Sequence, residues 1–195
     1  MSNVLSIPNA SESSRWRTVD IIVVAILAVA FGVVFWAWNV YVWAWLGFLD
    51  KPWASIISGV WLMPAVVAPL IVRKPGAAIF AEMVAAIVSV MLGSQWGLDT
   101  LLSGFVQGAG AEIIFGFLMY RNFSVIVAFI AGAGAGIGEA LHDIPVYYPT
   151  LDGSLQFGIA ALDIISGAVI AGVLGWLLVR SLKRTGALTA FPSSR

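Results

Sequence analysis

The chain has 195 residues, 61% hydrophobic and 10% charged, with a mean hydropathy of +0.98, which predicts a protein solvated largely by lipid. Zero net charge and a pI near 6.5 provide no basic field for nucleic acid. The absence of cysteine excludes disulfides, thiolate metal sites and a Cys nucleophile, and a single His argues against a His-rich cage, so no metal and no cofactor is expected.

Residues 1–17 are polar, as in Asn9-Ala10-Ser11-Glu12-Ser13-Ser14. They lack a charged start followed by an apolar core and so read as a cytoplasmic tail, the first helix serving as insertion signal. A helix needs about 20 residues to cross roughly 30 Å of hydrocarbon. Six such stretches are predicted near 18–38, 53–72, 76–93, 99–120, 123–142 and 155–181. The first runs on into Trp36-Ala37-Trp38-Asn39-Val40-Tyr41-Val42-Trp43-Ala44-Trp45 and closes at Asp50-Lys51-Pro52. So many indoles together read either as an interfacial belt or as a cap over an external cavity. Pro75-Gly76 makes a tight turn between the second and third stretches, and the third exits at Gly93-Ser94-Gln95-Trp96-Gly97. The fourth returns to Arg121-Asn122, the fifth ends at His142-Asp143-Ile144-Pro145, and the sixth stops at Arg180/Lys183/Arg184.

Nine of the ten Lys and Arg residues fall at Arg15/Arg17, Arg73/Lys74, Arg121 and Arg180/Lys183/Arg184/Arg195; Lys51 is the exception. Loops rich in Lys and Arg stay cytoplasmic, so a pair of spans lies between each cluster and the next. The expectation is an all-α integral membrane bundle of six transmembrane helices over 18–184, with both termini cytoplasmic and 185–195 a C-terminal tail. It would be a multi-pass protein of a bacterial-type cell membrane.

Small residues four apart let helices approach closely in lipid. Gly104, Gly108, Ala109, Gly110 and Ala111 in the fourth helix, and Ala131 to Gly138 in the fifth, predict that these two are central. Ala28 and Gly32 share one face of the first helix, either for packing within the bundle or for docking another membrane subunit.

Charged groups at membrane depth normally face a cavity or a partner. Gln107 and Asp163 are placed about 13 Å below the outer surface and Glu112 a little deeper, so the three could meet in an outward-facing pocket. Glu82, nearer the cytoplasmic end, reads as a structural residue. Glu139 and Asp143 lie one turn apart on one face, with His142 beside them at the helix end. Aromatic faces attract cations and carboxylates pair with amino-bearing heterocycles. Together with Trp36, Trp38, Trp43, Trp45, Trp96, Tyr147 and Tyr148 near the outside, this inventory suits a flat, cationic or amino-substituted ligand. No Walker A motif and no hydrolytic triad is present, so neither ATP hydrolysis by this chain nor an enzyme is expected.

Arg73-Lys74-Pro75-Gly76-Ala77-Ala78, Glu82, Gly93-Ser94-Gln95-Trp96-Gly97 and Gln107-Gly108-Ala109-Gly110-Ala111-Glu112 resemble the YkoE-type S-components of energy-coupling factor (ECF) transporters. So do Arg15-Trp16-Arg17-Thr18-Val19-Asp20 and Phe31-Gly32-Val33-Val34-Phe35-Trp36. The resemblance implies a six-helix binding subunit for thiamine or its hydroxymethylpyrimidine precursor, working with a membrane coupling (T) subunit and cytoplasmic ATPases. It also implies docking of the T subunit at Ala28 and Gly32. Depth and chemistry nominate Glu112, Gln107, Trp96, Gln95, Trp36, Trp38, Asn39, Glu139, His142, Asp143, Tyr148 and Asp163 as substrate-binding. In this reading Glu112 with Gln107 recognises the aminopyrimidine, Trp96 and one of Trp36/Trp38 stack on the rings, and Glu139 or Asp143 faces the cation. The alternatives are a stand-alone secondary carrier or channel for a small organic cation, and a non-transport scaffold.

Overall fold

The computed structural model describes residues 15–46, 53–189 and 191, helices joined by turns and short irregular connections. The tails expected at 1–17 and 185–195 and the closing turn at Asp50-Lys51-Pro52 therefore lie wholly or partly outside the described residues. Six helical segments follow one another: α1 Thr18–Leu46, α2 Trp53–Val72, α3 Ala77–Met91, α4 Asp99–Phe117, α5 Val125–Tyr147 and α6 Gly153–Arg184. Five are long and apolar enough to cross a membrane, and α3 is a shorter apolar helix.

The segment boundaries follow local chemistry. Arg17 bridges to the buried Asp20 at 2.7 Å, fixing the start of α1, and the Trp16 indole donates to the Pro75 carbonyl across the α2–α3 turn. At that turn Arg73 and Gly76 both take left-handed backbone angles, reversing the chain within a few residues. The tryptophan-rich continuation of α1 remains helical but widens to π pitch over Trp38–Trp43, and α6 does the same over Gly167–Leu174. α2 opens as 3-10 helix over Trp53–Val60; the Gly59 amide donates to the Ser166 hydroxyl, which donates in turn to the Ile56 carbonyl.

The core centres on α2, where every residue from Pro64 to Val72 is buried. An apolar helix with no polar face has no side to give to water or a partner, so it fills the middle of the bundle. Glycine close approaches hold α5 against both neighbours: a Cβ at Gly110 of α4 would fall on the Gly134 carbonyl oxygen, and one at Gly132 on that of Gly167 in α6. The expectation that the fourth and fifth helices are central thus holds for α5, 61% buried, and fails for α4 at 28%. Leu102, Phe105 and Ile113 of α4 point outward.

Ala28 and Gly32 are both buried, and a Cβ at Gly32 would meet Val88 and the Ala85 carbonyl of α3. This face is consumed inside the bundle, which corrects the reading of it as an open docking surface. The outward face of α1 instead carries Ile22, Ile26, Val29 and Val33.

Candidate binding pocket

The bundle has two chemically distinct ends. Arg73, Lys74 and the Trp16–Pro75 contact share the end to which α2 runs, with Arg180 and Lys183 of α6 beside Arg73. The ends of α1, α3 and α5 and the starts of α2 and α4 converge at the other, around a cavity with about 610 Å³ of empty space counted out to its mouth.

Aromatic rings form one wall. Trp43 of α1, Trp61 of α2 and Trp96 of the α3–α4 turn make a triad with ring centroids 5.1 Å (Trp43–Trp61), 6.0 Å (Trp43–Trp96) and 5.5 Å (Trp61–Trp96) apart, all edge-to-face. Such pairs are favourable beyond the area they bury. The Trp61 indole donates to Asn39 Oδ1 at 2.9 Å, fixing both side chains. Phe35, Asn39 and Trp43, spaced four apart, line the cavity from one face of α1, the last two within its π segment.

The rest of the lining is largely polar. Gln107 lines it with its amide donating to Ser103 Oγ at 2.7 Å, and Glu139, Asp143, Tyr147 and Tyr148 complete it. Glu139 is 3% exposed, and its Oε2 is buried without a hydrogen-bond partner among the described residues. Ser58 is a side-chain hydrogen-bond partner of this carboxyl group, which lines the cavity as an acceptor for a donor or cation. Burial and the neighbouring acids Asp143, Asp163 and Glu139 push the Tyr148 phenol up to about 12, so it stays protonated at neutral pH.

Behind this wall the His142 ring lies between Asp143, at 2.8 Å from Nδ1, and Asp99, at 3.2 Å from Nε2; the Tyr147 hydroxyl also donates to Asp99. The network clamps the start of α4 to the end of α5. Asp143 and Tyr147 of this network line the cavity, while His142 and Asp99 hold the rim from behind.

Of the nominated residues, the structure brings Asn39, Trp96, Gln107, Glu139, Asp143 and Tyr148 to the pocket. The others it places elsewhere. Glu112 lies at the basic end, accepting the Gly76 amide at 2.6 Å, the Ala78 amide at 2.9 Å and the Tyr120 hydroxyl, so it caps α3 and does not meet Gln107. Asp163 is buried in α6 beside the Gly136 backbone and near Glu139, one layer behind the wall. Gln95 is exposed, Trp36 pairs with Tyr41 outside the cavity, and Trp38 is half-buried off the lining face. His142 serves the rim clamp. Glu82 is fully buried with neither carboxylate oxygen hydrogen-bonded among the described residues.

Sequence reasoning did not nominate Phe35, Trp61, Ser89, Thr100 or Ser103 for the lining. Ser89, Thr100 and Ser103 are short hydroxyls with no sequence signal of their own. Trp61 had one: an indole close to the start of a span is at the depth of the external rim.

A family model described as "ABC-type cobalt transport system, permease component" matches residues 19–138. The chain is 30% identical over 174 residues to the "Putative HMP/thiamine permease protein YkoE" of Bacillus subtilis (strain 168), covering 89% of this chain and 87% of that protein. It is also similar to a solved structure titled "Crystal structure of an S-component of ECF transporter", with a TM-score of 0.87, 30% identity and 91% of each chain covered. A multi-pass helical bundle with this likeness over nearly its whole length belongs to the family of YkoE-type S-components of ECF transporters.

Proposed function

We propose that the chain is the substrate-capturing subunit of an importer for thiamine or its hydroxymethylpyrimidine precursor. It takes the ligand from outside and passes it inward with a membrane T subunit and cytoplasmic ATPases. In this reading all six helices span the cell membrane, both termini are cytoplasmic and the pocket opens outward. The observation that carries it is the pairing of a three-indole wall with the buried Glu139 carboxyl group in one cavity. Thiamine offers a thiazolium cation and an aminopyrimidine: the rings stack on indoles, while the amino group and the positive charge seek carboxylates.

The relative's printed name, an HMP/thiamine permease, points the same way. The matched family's description names cobalt, yet among the described residues no group of three or more His, Cys, Asp or Glu is placed to hold a metal ion. The lining chemistry favours an organic ring.

Calorimetric titration of detergent-purified protein with thiamine, hydroxymethylpyrimidine and riboflavin tests the reading. Saturable binding of one pyrimidine ligand and none of riboflavin is expected. Glu139→Gln should weaken that binding about tenfold or more, as loss of a charge-assisted hydrogen bond does. Unchanged affinity in Glu139→Gln, or no pyrimidine binding at all, would remove the basis for it. Uptake by this chain alone in liposomes under an ion gradient, without ATP, would favour the stand-alone carrier.

A further inference from the structure

At the basic end of the bundle lies a second cavity, with about 600 Å³ of empty space counted out to its mouth. Arg73, Arg180 and Lys183 line it, together with Leu70, Phe123 and Trp176. Nothing in vitamin capture at the opposite end uses it.

Three cations share this wall, and no carboxylate lines it or lies within ion-pair distance of any of them among the described residues. Aromatic rings hold two of the cations in place: the Arg73 guanidinium stands 5.0 Å from the Phe123 centroid and that of Arg180 stands 5.2 Å from Trp176. Ring faces attract the charge but accept no N–H hydrogen bonds of ordinary strength, and Arg73 Nε is buried with no partner among the described residues. Burial draws the Arg73 pKa down, and no carboxylate among the described residues offsets it. Arg73 also adopts a left-handed backbone at φ 55, uncommon for a residue with a side chain. The site thus concentrates positive charge, fixes its direction and leaves donors unmet.

Those donors require an anion with several acceptor oxygens; the planar guanidinium fork matches phosphate oxygens two at a time. The apolar floor at Leu70 and Val179 and the indole of Trp176 are the surroundings of a headgroup whose tails stay in lipid. Basic pockets between membrane helices bind anionic headgroups in this way. We propose that this pocket binds a phosphate group, supplied in the membrane by the headgroup of an anionic phospholipid.

Native mass spectrometry of the full chain, released from mixed phosphatidylglycerol and phosphatidylcholine micelles, tests this. Phosphatidylglycerol adducts should predominate, fall about fivefold in Arg180→Gln and by more than about tenfold in Arg73→Gln/Lys183→Gln, while Arg73→Lys keeps the preference. Arg180 is exposed, so its variant reports even where the double variant does not fold. A parallel arm compares inorganic phosphate with chloride at equal ionic strength. A rise in melting temperature with phosphate that Arg180→Gln abolishes, without any lipid preference, keeps the phosphate site and assigns it to a soluble source. Equal phosphatidylglycerol occupancy in wild type and Arg180→Gln, together with phosphate acting no differently from chloride, overturns the proposal. So does protection by an acidic peptide alone, which would assign the cations to a protein partner.

Discussion

A carboxylate that collects two backbone amides and a phenol is committed to a helix end, and Glu112 does this for α3. Glu112→Ala strips those donors and should destabilise the protein by about 1–3 kcal/mol, seen as a lower melting temperature, while calorimetric affinity at the far pocket stays unchanged. An affinity loss without a stability loss would restore Glu112 to the ligand. Glu82 presents the opposite case, a fully buried carboxyl group with neither oxygen hydrogen-bonded among the described residues. Glu82→Met, similar in length and apolar, should stabilise the fold by about 1–3 kcal/mol in chemical denaturation. A decrease would reveal a partner for Glu82 in the working protein. These two residues also mark what residue counting reads and what it misses. Position along a helix follows from the rise per residue, so Gln107 and Asp163 were legible as groups well inside α4 and α6. Azimuth does not: Gln107 and Glu112 are five positions apart, about 140° around the axis, so one faces the pocket and the other the α2–α3 turn.

Among the elements, α5 is the one whose neighbours tolerate least change. A Cβ at Gly134 would sit 2.6 Å from the Gly110 carbonyl oxygen, so Gly134→Ala has to push two backbones apart. The expected loss is about 1–3 kcal/mol of stability, whereas Gly153→Ala at the start of α6, with nothing within 4 Å, should be neutral. Parallel thermal unfolding of the two variants measures the difference; equal melting temperatures would sink the packing account. The existence of the helical segments was legible because apolar runs and Gly/Pro punctuation are local signals. Their rank in the bundle was not. Small residues mark a close crossing but not how many sides of a helix are covered, and so α4 was overrated while α2, whose sequence is merely apolar, proved the most enclosed. The π segments were equally hidden, since their wider pitch depends on packing rather than on any one residue.

The molecule as a whole is polarised, with the three-indole wall, Glu139 and Asp143 at one end and the cavity lined by Arg73, Arg180 and Lys183 at the other. If the basic end faces the cytoplasm, an impermeant thiol reagent applied to intact cells should label Thr150→Cys and spare Ser181→Cys. Both positions are exposed, and the chain has no cysteine of its own to confuse the readout. Labelling of Ser181→Cys alone would invert the topology and close the proposed route from outside. At 15 residues α3 is only about 22 Å long, short of the roughly 30 Å of a hydrocarbon core. That shortfall is invisible to a hydropathy count, which placed its span at 76–93. The mutual edge-to-face arrangement of Trp43, Trp61 and Trp96 has an optical consequence as well. Transition dipoles so close and so oriented mix, and the wall should give an exciton couplet in ultraviolet circular dichroism against the weaker background of the other six tryptophans. A molecule sliding between these rings would split or quench that couplet, which makes the wall an unlabelled optical gauge of its own occupancy.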